Sequence, residues 1–170
     1  DKVDEYHDTL HQESQRLGHL VENVLAFARL TRGKLRGRAD KAPCPQLVDR
    51  ALSKVEPRLR EAGFKVQVKH DKRAELISLN TDIISLEQIF TNLADNAIKY
   101  AATTEHPTIS ISTMRGHNTL SIRFADNGPG IPAKWQRDIF RPFSRSARDV
   151  EGRKPGVGLG LALSRDVARS

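Results

Sequence analysis

Asn92 and Asn96 stand four residues apart in the stretch NLADNAIKY (92–100), and Lys99 follows three residues later. On a helix this spacing puts both amides on one face, with the ammonium nearly on the same face. Two stacked amide oxygens beside a cation could hold a hydrated Mg²⁺ and its phosphates, because Mg²⁺ takes few protein oxygens and keeps several waters. A helix face turned to solvent would show the same stripe. In FADNGPGIP (124–132) an alternating apolar run ends on a carboxylate, Asp126, with Gly128 and Gly130 behind it. Glycines let backbone come close to a flat ligand, and the carboxylate could accept a hydrogen bond from an exocyclic amine such as adenine's. A plain hairpin turn is the other reading. In IFRPFSR (139–145), Phe140 and Phe143 could anchor a mobile loop while Arg141 and Arg145 reach phosphate. The alternative is a surface helix end with two buried Phe. In GVGLGLAL (156–163), Gly156, Gly158 and Gly160 precede a helix, whose first N–H groups would make an anion site. No Lys-Ser/Thr follows these glycines, so this is not the Walker phosphate loop.

The elements that must carry these residues follow from periodicity. Leu10, Leu17, Val21, Val24 and Ala28 are spaced 7, 4, 3 and 4, a heptad seam within one helix from about residue 4 to 35. Leu20 and Phe27 widen the seam, and such a helix needs a partner to cover it. GKLRGRADKAPCP (33–45) reads as a linker. A helix is predicted over about 46–62, with Pro57 as a kink point and Gly63 as its stop. FKVQVKH (64–70) alternates as a half-buried strand, and ELISL (75–79) reads as a weaker strand. A helix over about 84–101 carries the two asparagines. TISISTM (108–114) and TLSIRFA (119–125) form a hairpin through RGHN. Residues 127–158 read as irregular apart from a short piece near Trp135–Phe140, and a helix closes the chain over 159–169. The pattern predicts an α+β fold: a two-layer α/β sandwich, with a mixed sheet covered by helices on one face, preceded by a long N-terminal helix.

Composition narrows the function. The chain has 170 residues, 38% apolar and 29% charged, enough for a sizeable core. Its single cysteine, Cys44, excludes an internal disulfide. No apolar run approaches the ~20 residues that span a bilayer. The net charge is +7, and residues 134–154 hold seven Lys/Arg against three Asp/Glu. A basic loop suits a phosphate-bearing ligand. Aromatics are only 5% and none interleave with a basic strand, which argues against nucleic acid.

In order and spacing the four stretches resemble the ATP-binding catalytic domain of sensor histidine kinases, within the wider superfamily of gyrase, chaperone, histidine-kinase and mismatch-repair ATPases. NLADNAIKY resembles the N box, DNGPGI the first Gly box, IFRPF the F box and GVGLGLAL the second Gly box. The resemblance covers about Pro45 to Ser170. The N-terminal helix, ending in LVENVLAFARL, resembles the second helix of the family's dimerisation and phosphoacceptor bundle.

The resemblance implies a role for each residue. Asn92 and Asn96 face Mg²⁺, while Lys99 and Tyr100 line the phosphate and sugar side. Asp126 bonds the adenine amino group, with Gly128 and Gly130 beside it. Phe140, Phe143 and Arg145 belong to a lid over the nucleotide. Gly156, Gly158 and Gly160, with Leu159 and Leu161 between and behind them, approach the phosphates. The cofactors implied are ATP and Mg²⁺. The implied activity is transfer of the γ-phosphoryl group to a histidine outside this chain, for relay to a response-regulator receiver domain. The implied assembly is a homodimer through the helical bundle, with no nucleic acid and no membrane contact from this segment. The resemblance further implies the cytoplasmic portion of a sensor, which can be anchored in an inner membrane.

The chain departs from the family pattern in places. His7-Asp8 is the nearest imitation of the phosphoacceptor motif, but no Pro follows, and it lies in the helix that should come second. His7, His11 and His19 therefore read as helix-surface residues. Residues 1–38 are expected to be the second bundle helix without the first, and 39–170 a catalytic domain that is incomplete at its C-terminus. Two competing readings keep the pocket: a nucleotide-gated dimerisation module and an ATP-hydrolysing machine. The hydrolysing relatives carry a Glu one turn before the Mg²⁺-binding Asn; here that position is Asn92, a poor general base. A protein-serine kinase of the anti-sigma type is a further relative, disfavoured by the bundle-like helix.

Overall fold

The structure is a computed structural model that describes residues 39–144 and 158–169, together with positions 3, 6, 7, 10, 14, 17, 18, 21, 24 and 25. It is a mixed α+β chain divided into two compact units: residues 36–132 form one, and residues 1–35 with 133–170 form the other.

In the 36–132 unit, β1 (Asp40–Pro43) leads into α1 (Cys44–Glu61). Cys44, Leu47, Val48, Ala51, Leu52, Val55 and Leu59 recur at three- and four-residue intervals and are all buried, giving the apolar face of a core-packed helix. Pro57 lies inside α1 on its exposed side. The carbonyl it deprives of a partner can turn to water, so the helix continues to Glu61. It stops at Gly63, whose φ is +85°. Phe64 N–H donates to Leu59 O at 2.9 Å and Gly63 N–H to Arg60 O at 2.9 Å. This is a Schellman cap, with buried Phe64 as its apolar clasp.

The chain then enters β2 (Lys65–His70). A short helix, α2 (Lys72–Glu75), follows and is capped by Asp71, whose carboxylate accepts from Arg73 N–H at 3.0 Å and from Arg115 N–H at 3.3 Å. These two backbone donors hold the Asp71 carboxyl below its ordinary range. Next come β3 (Ser78–Thr81) and α3 (Ile83–Ala101). Asp82 caps α3, accepting from Ile84 N–H at 3.1 Å and Ser85 Oγ at 2.8 Å. β4 (Thr108–Arg115) and β5 (Leu120–Asp126) complete the unit.

The strands form two sheets. β1 and β3 pair antiparallel, while β2, β4 and β5 lie in that order, with β2 parallel and β5 antiparallel to β4. The registers Val66↔Ile109 and Ile111↔Phe124 put apolar side chains on one face of the mixed sheet. There they join Val48, Val55, Leu59, Phe90, Ala94, Ala97 and Ala101 from α1 and α3 in one core. Phe90 meets Phe124 edge to face, with centroids 5.6 Å apart. Cys44 is fully buried in this core, and burial pushes its thiol pKa up.

Two expectations are corrected. Asp40–Pro43, read as linker, is a strand, because β3 supplies a partner for it 39 residues downstream in the register Lys41↔Asn80. The strand expected at 75–79 lies at Ser78–Thr81, because Asp71 caps Lys72–Glu75 into a helical turn first.

In the other unit, all the described positions between 3 and 25 are helical. Leu10, Leu17, Val21 and Val24 of the heptad seam are exposed in this single chain; Leu20, Phe27 and Ala28 lie outside the described residues. Residues 133–144 form successive tight turns, and α4 (Gly160–Arg169) follows with Ala162, Leu163 and Val167 buried. Among the described residues no helix is long and apolar enough to cross a membrane.

Candidate functional site

In the 36–132 unit the asparagines fall where helical spacing predicts. Asn92 lies in the middle of α3 and is 4% exposed, and Asn96, one turn on, is half-buried. Asn92 Oδ1 lies 3.4 Å from Gln88 Nε2, a long contact that leaves this oxygen weakly engaged by Gln88. The Lys99 ammonium sits 4.6 Å from the centroid of the Tyr100 ring, so the last turn of α3 presents a cation backed by an aromatic face.

Small residues on the opposite face of α3 set how closely the sheet approaches. Ala94, Ala97 and Ala101 are all buried. At Ala101 the close neighbour is Gly128: a Cβ there would lie 2.6 Å from Ala101 Cβ and 2.7 Å from Asp126 Oδ1. The position is therefore glycine for want of space. Gly130 is different. Its φ is +71° and a Cβ there would meet nothing within 4 Å, so it serves the turn rather than a contact.

Asp126 is exposed at the end of β5, and its Oδ1 accepts Gly128 N–H at 2.8 Å. One carboxylate oxygen is thus spent on orientation. Asn127, which the sequence pattern did not single out, is tied in beside Asp126. Its Oδ1 accepts Thr108 N–H at 2.7 Å, its Nδ2 donates to His106 O at 3.1 Å, and its backbone N–H donates to Thr108 O at 3.2 Å. An Asn at a strand end next to Gly was the only signal in the sequence, and its partners lie about twenty residues away.

In the other unit the structure joins the third and fourth stretches. Phe143 N–H donates to Gly158 O at 3.0 Å. A Cβ on Gly158 would lie 2.5 Å from Ser144 O, and its φ is +75°. Phe143 itself has φ +62°, unusual for a residue with a side chain. Phe140 and Phe143 are exposed, 37% and 64%, rather than packed as anchors. Arg141 pairs with Asp138 at 3.0 Å. Leu159 is buried, Gly160 and Leu161 are half-buried, and Gly160 O accepts Ser164 Oγ at 2.9 Å. Arg145 and Gly156 lie outside the described residues.

Residues 81–170 match the family described as histidine kinase-, DNA gyrase B-, and HSP90-like ATPase. The chain belongs to this family. Within the family it is similar to the adaptive-response sensory kinase SasA of a Synechococcus species (strain JA-2-3B'a(2-13)), at 30% identity over 96% of this chain and 42% of that protein. The solved structure of full-length ShkA in complex with AMPPNP superposes at TM-score 0.73, with 26% identity over 99% of this chain and 34% of ShkA. Histidine kinase ThkA, solved in complex with the response regulator protein TrrA, gives TM-score 0.65 at 20% identity over 91% of this chain and 45% of that one, a likeness of fold alone. The chain spans about two fifths of the length of SasA. It carries the ATP-binding catalytic domain of a sensor histidine kinase of two-component signalling.

Among the described residues no group of three or more His, Cys, Asp or Glu could cage a metal. The amide oxygens of Asn92 and Asn96 are of the kind that could serve a Mg²⁺ held largely by water and phosphate.

Proposed function

We propose that this domain binds Mg²⁺·ATP and transfers the γ-phosphoryl group to a histidine that is not among these 170 residues, for relay to a response-regulator receiver domain. The observation that carries the reading is the contact of Gly128 with Ala101. It packs the Asp126 turn against the end of the helix that bears Asn96 and Asn92, five and nine residues back, or roughly 7–14 Å along the axis. The base-reading carboxylate and the metal-facing amide pair are therefore both tied to one helix, the carboxylate through its seat on Ala101 and the amides about 140–180° around α3 from it. That ShkA was solved with AMPPNP supports the ligand.

In this reading Asp126 accepts the adenine amine, and Gly128 and Gly130 leave room for the ring. Asn92 and Asn96 hold Mg²⁺, which neutralises phosphate charge when bound. Lys99 and Tyr100 face phosphate and sugar. Phe140, Phe143 and Arg145 belong to a lid, and backbone from Gly156 to Leu161 meets the phosphates. Phosphoryl transfer rests mostly on positioning and electrostatics, so the domain needs no nucleophile of its own. Residues 39–170 make up the catalytic domain, a two-layer α/β sandwich, and residues 1–38 the second bundle helix. Leu10, Leu17, Val21 and Val24 of its seam are exposed in the single chain, and the helix pairs with a second copy in a symmetric homodimer. The domain works as the cytoplasmic part of a sensor.

Calorimetry with ATP, ADP and GTP, with and without Mg²⁺, tests the binding step. Guanine presents an acceptor where adenine presents an amine, so GTP should bind roughly ten- to a hundredfold more weakly. Equal affinities would remove Asp126 from its role. Acid-labile ³²P label should appear on a supplied bundle fragment carrying a phosphoacceptor histidine, and not on His7, His11 or His19. Strong acid-labile label on those three residues would overturn the assignment of the N-terminal helix.

A further inference from the structure

We infer that Asn127 is a positioning residue for base recognition: it holds the Asp126 carboxylate in place by tying the end of β5 to the turn between α3 and β4. The inference rests on the role of Asp126 proposed above. Asp126 is the last residue of β5, which is an edge of the three-stranded sheet, and its ladder partner is Ile109. A strand end at a sheet edge frays unless something continues the pairing.

Asn127 continues it with one backbone and two side-chain hydrogen bonds. The backbone bond, Asn127 N–H to Thr108 O at 3.2 Å, adds a rung beyond Asp126. The side chain then takes Thr108 N–H at 2.7 Å and gives to His106 O at 3.1 Å. His106 has φ +50°, a left-handed conformation that a residue with a Cβ seldom keeps unaided. Asn127 thus fixes a turn that would otherwise relax. On the far side of Asp126, Gly128 N–H takes up Oδ1 at 2.8 Å. The carboxylate is therefore held from both directions, by Asn127 through the backbone and by Gly128 directly. Only an amide fits the Asn127 position fully, since it must accept from one backbone group and donate to another.

Asn127 and His106 are exposed, so water can satisfy the groups Asn127 would leave behind. Removing the amide should loosen Asp126 more than it destabilises the fold. This separates a positioning role from a purely structural one. The measurement compares ATP with purine riboside triphosphate, the same nucleotide without the 6-amino group, by calorimetry on the full chain, alongside a thermal melt.

The unsubstituted chain should prefer ATP by about tenfold or more. In Asn127→Ala that preference should fall severalfold toward unity, through weaker ATP binding with little change for the analogue, while the melting temperature moves by only a few degrees. Asn127→Asp, which keeps an acceptor for Thr108 N–H, should retain more of the preference than Asn127→Ala. If the unsubstituted chain shows no preference, the Asp126 reading fails and this inference with it. If it shows the preference and Asn127→Ala keeps it in full, Asp126 stands and the role of Asn127 is refuted. Asn127→Asp falling below Asn127→Ala would refute that role as well.

Discussion

Replacing Gly128 by Ala is the sharpest test of the seat on Ala101. The added methyl would sit 2.6 Å from Ala101 Cβ, 2.7 Å from Asp126 Oδ1 and 3.3 Å from Ala101 Cα. Ala101 is fully buried in the last turn of α3 and has no rotamer to change. Relief must come from a backbone shift or from swinging the Asp126 carboxylate away. Overpacking of this kind costs about 1–3 kcal/mol. If the carboxylate swings, its 2.8 Å bond from Gly128 N–H goes too. A hydrogen bond to a charged acceptor is worth about 1.5–3 kcal/mol, and the exposure of Asp126 puts this one at the low end. One movement relieves both contacts, so the terms do not add in full, and a loss of about 2–4 kcal/mol follows. At roughly 2–4 °C per kcal/mol for a chain of this size, the melting temperature should fall by about 5–15 °C. ATP affinity should fall about tenfold at temperatures where the variant remains folded.

Two companions separate the causes. Gly130→Ala meets no atom within 4 Å but has φ +71°. It should cost only the left-handed penalty of about 1–2 kcal/mol and leave Asp126 in place. Ala101→Gly costs about 1 kcal/mol alone, but removes the 2.6 Å contact when combined with Gly128→Ala. The double variant should therefore be more stable than the sum of the single losses by about 1–2 kcal/mol. A Gly128→Ala chain within about 0.5 kcal/mol of the original, or a strictly additive double variant, would show that α3 and the Asp126 turn are not packed as described.

Other outcomes follow from the same structure. Asn96→Ala should weaken ATP binding in Mg²⁺ more than in chelator, whereas Asp126→Asn should weaken both alike; matching losses in calorimetry would refute the division of roles. Phe90→Ala removes a ring that is 2% exposed and packed edge to face on Phe124, and should cost about 3–5 kcal/mol in urea denaturation. Asp71 has its folded pKa lowered by the Arg73 and Arg115 backbone N–H groups, so its contribution is present above the ordinary aspartate value of about 4 and is lost as pH falls through the lower folded value. Asp71→Asn should flatten the acid limb of stability against pH while leaving the slope near neutrality unchanged, and an unaltered acid limb would contradict the cap.

What could be read from the sequence was local. The face shared by Asn92, Asn96 and Lys99 follows from the 3.6-residue period, and the stop of α1 follows from Gly63. Asp126 at a strand end followed from alternation breaking into Gly and Pro. What could not be read was set by residues far away in the chain. β1 is too short and too polar to look like a strand without β3, its partner. Gly128 could be seen as a glycine, but its reason is Ala101, 27 residues earlier. Asn127 looked like a turn residue because its hydrogen-bond partners, His106 and Thr108, precede it by 21 and 19 residues. Apolarity marks Phe140 and Phe143 as candidates for a loop anchor or a buried helix end, but it does not report whether a neighbour is there to cover them, and both are exposed.

The α1–α3 contact has a part in the site that stability alone does not explain. Arg50 and Lys54 each reach Glu87 at 3.5 Å, and Arg58 reaches Asp95 at 2.7 Å, as ion pairs rather than aligned hydrogen bonds. The cations are about half exposed or more, so each pair contributes only about 0.2–1 kcal/mol. Their spacing matters more than their strength. Three cations at four-residue steps on α1 face two carboxylates eight residues apart on α3, so the pairs match in only one axial register. They also fix rotation, since a slip of one residue would turn α3 by about 100°. Asn92 and Asn96 lie on the same helix between and just beyond Glu87 and Asp95. A turn of that size would carry both amides off their face and move Ala101 away from Gly128. The small residues facing the sheet allow α3 to come close, while the ion pairs along its flank select one rotation, which seats Ala101 on Gly128 and turns the amides to the opposite face.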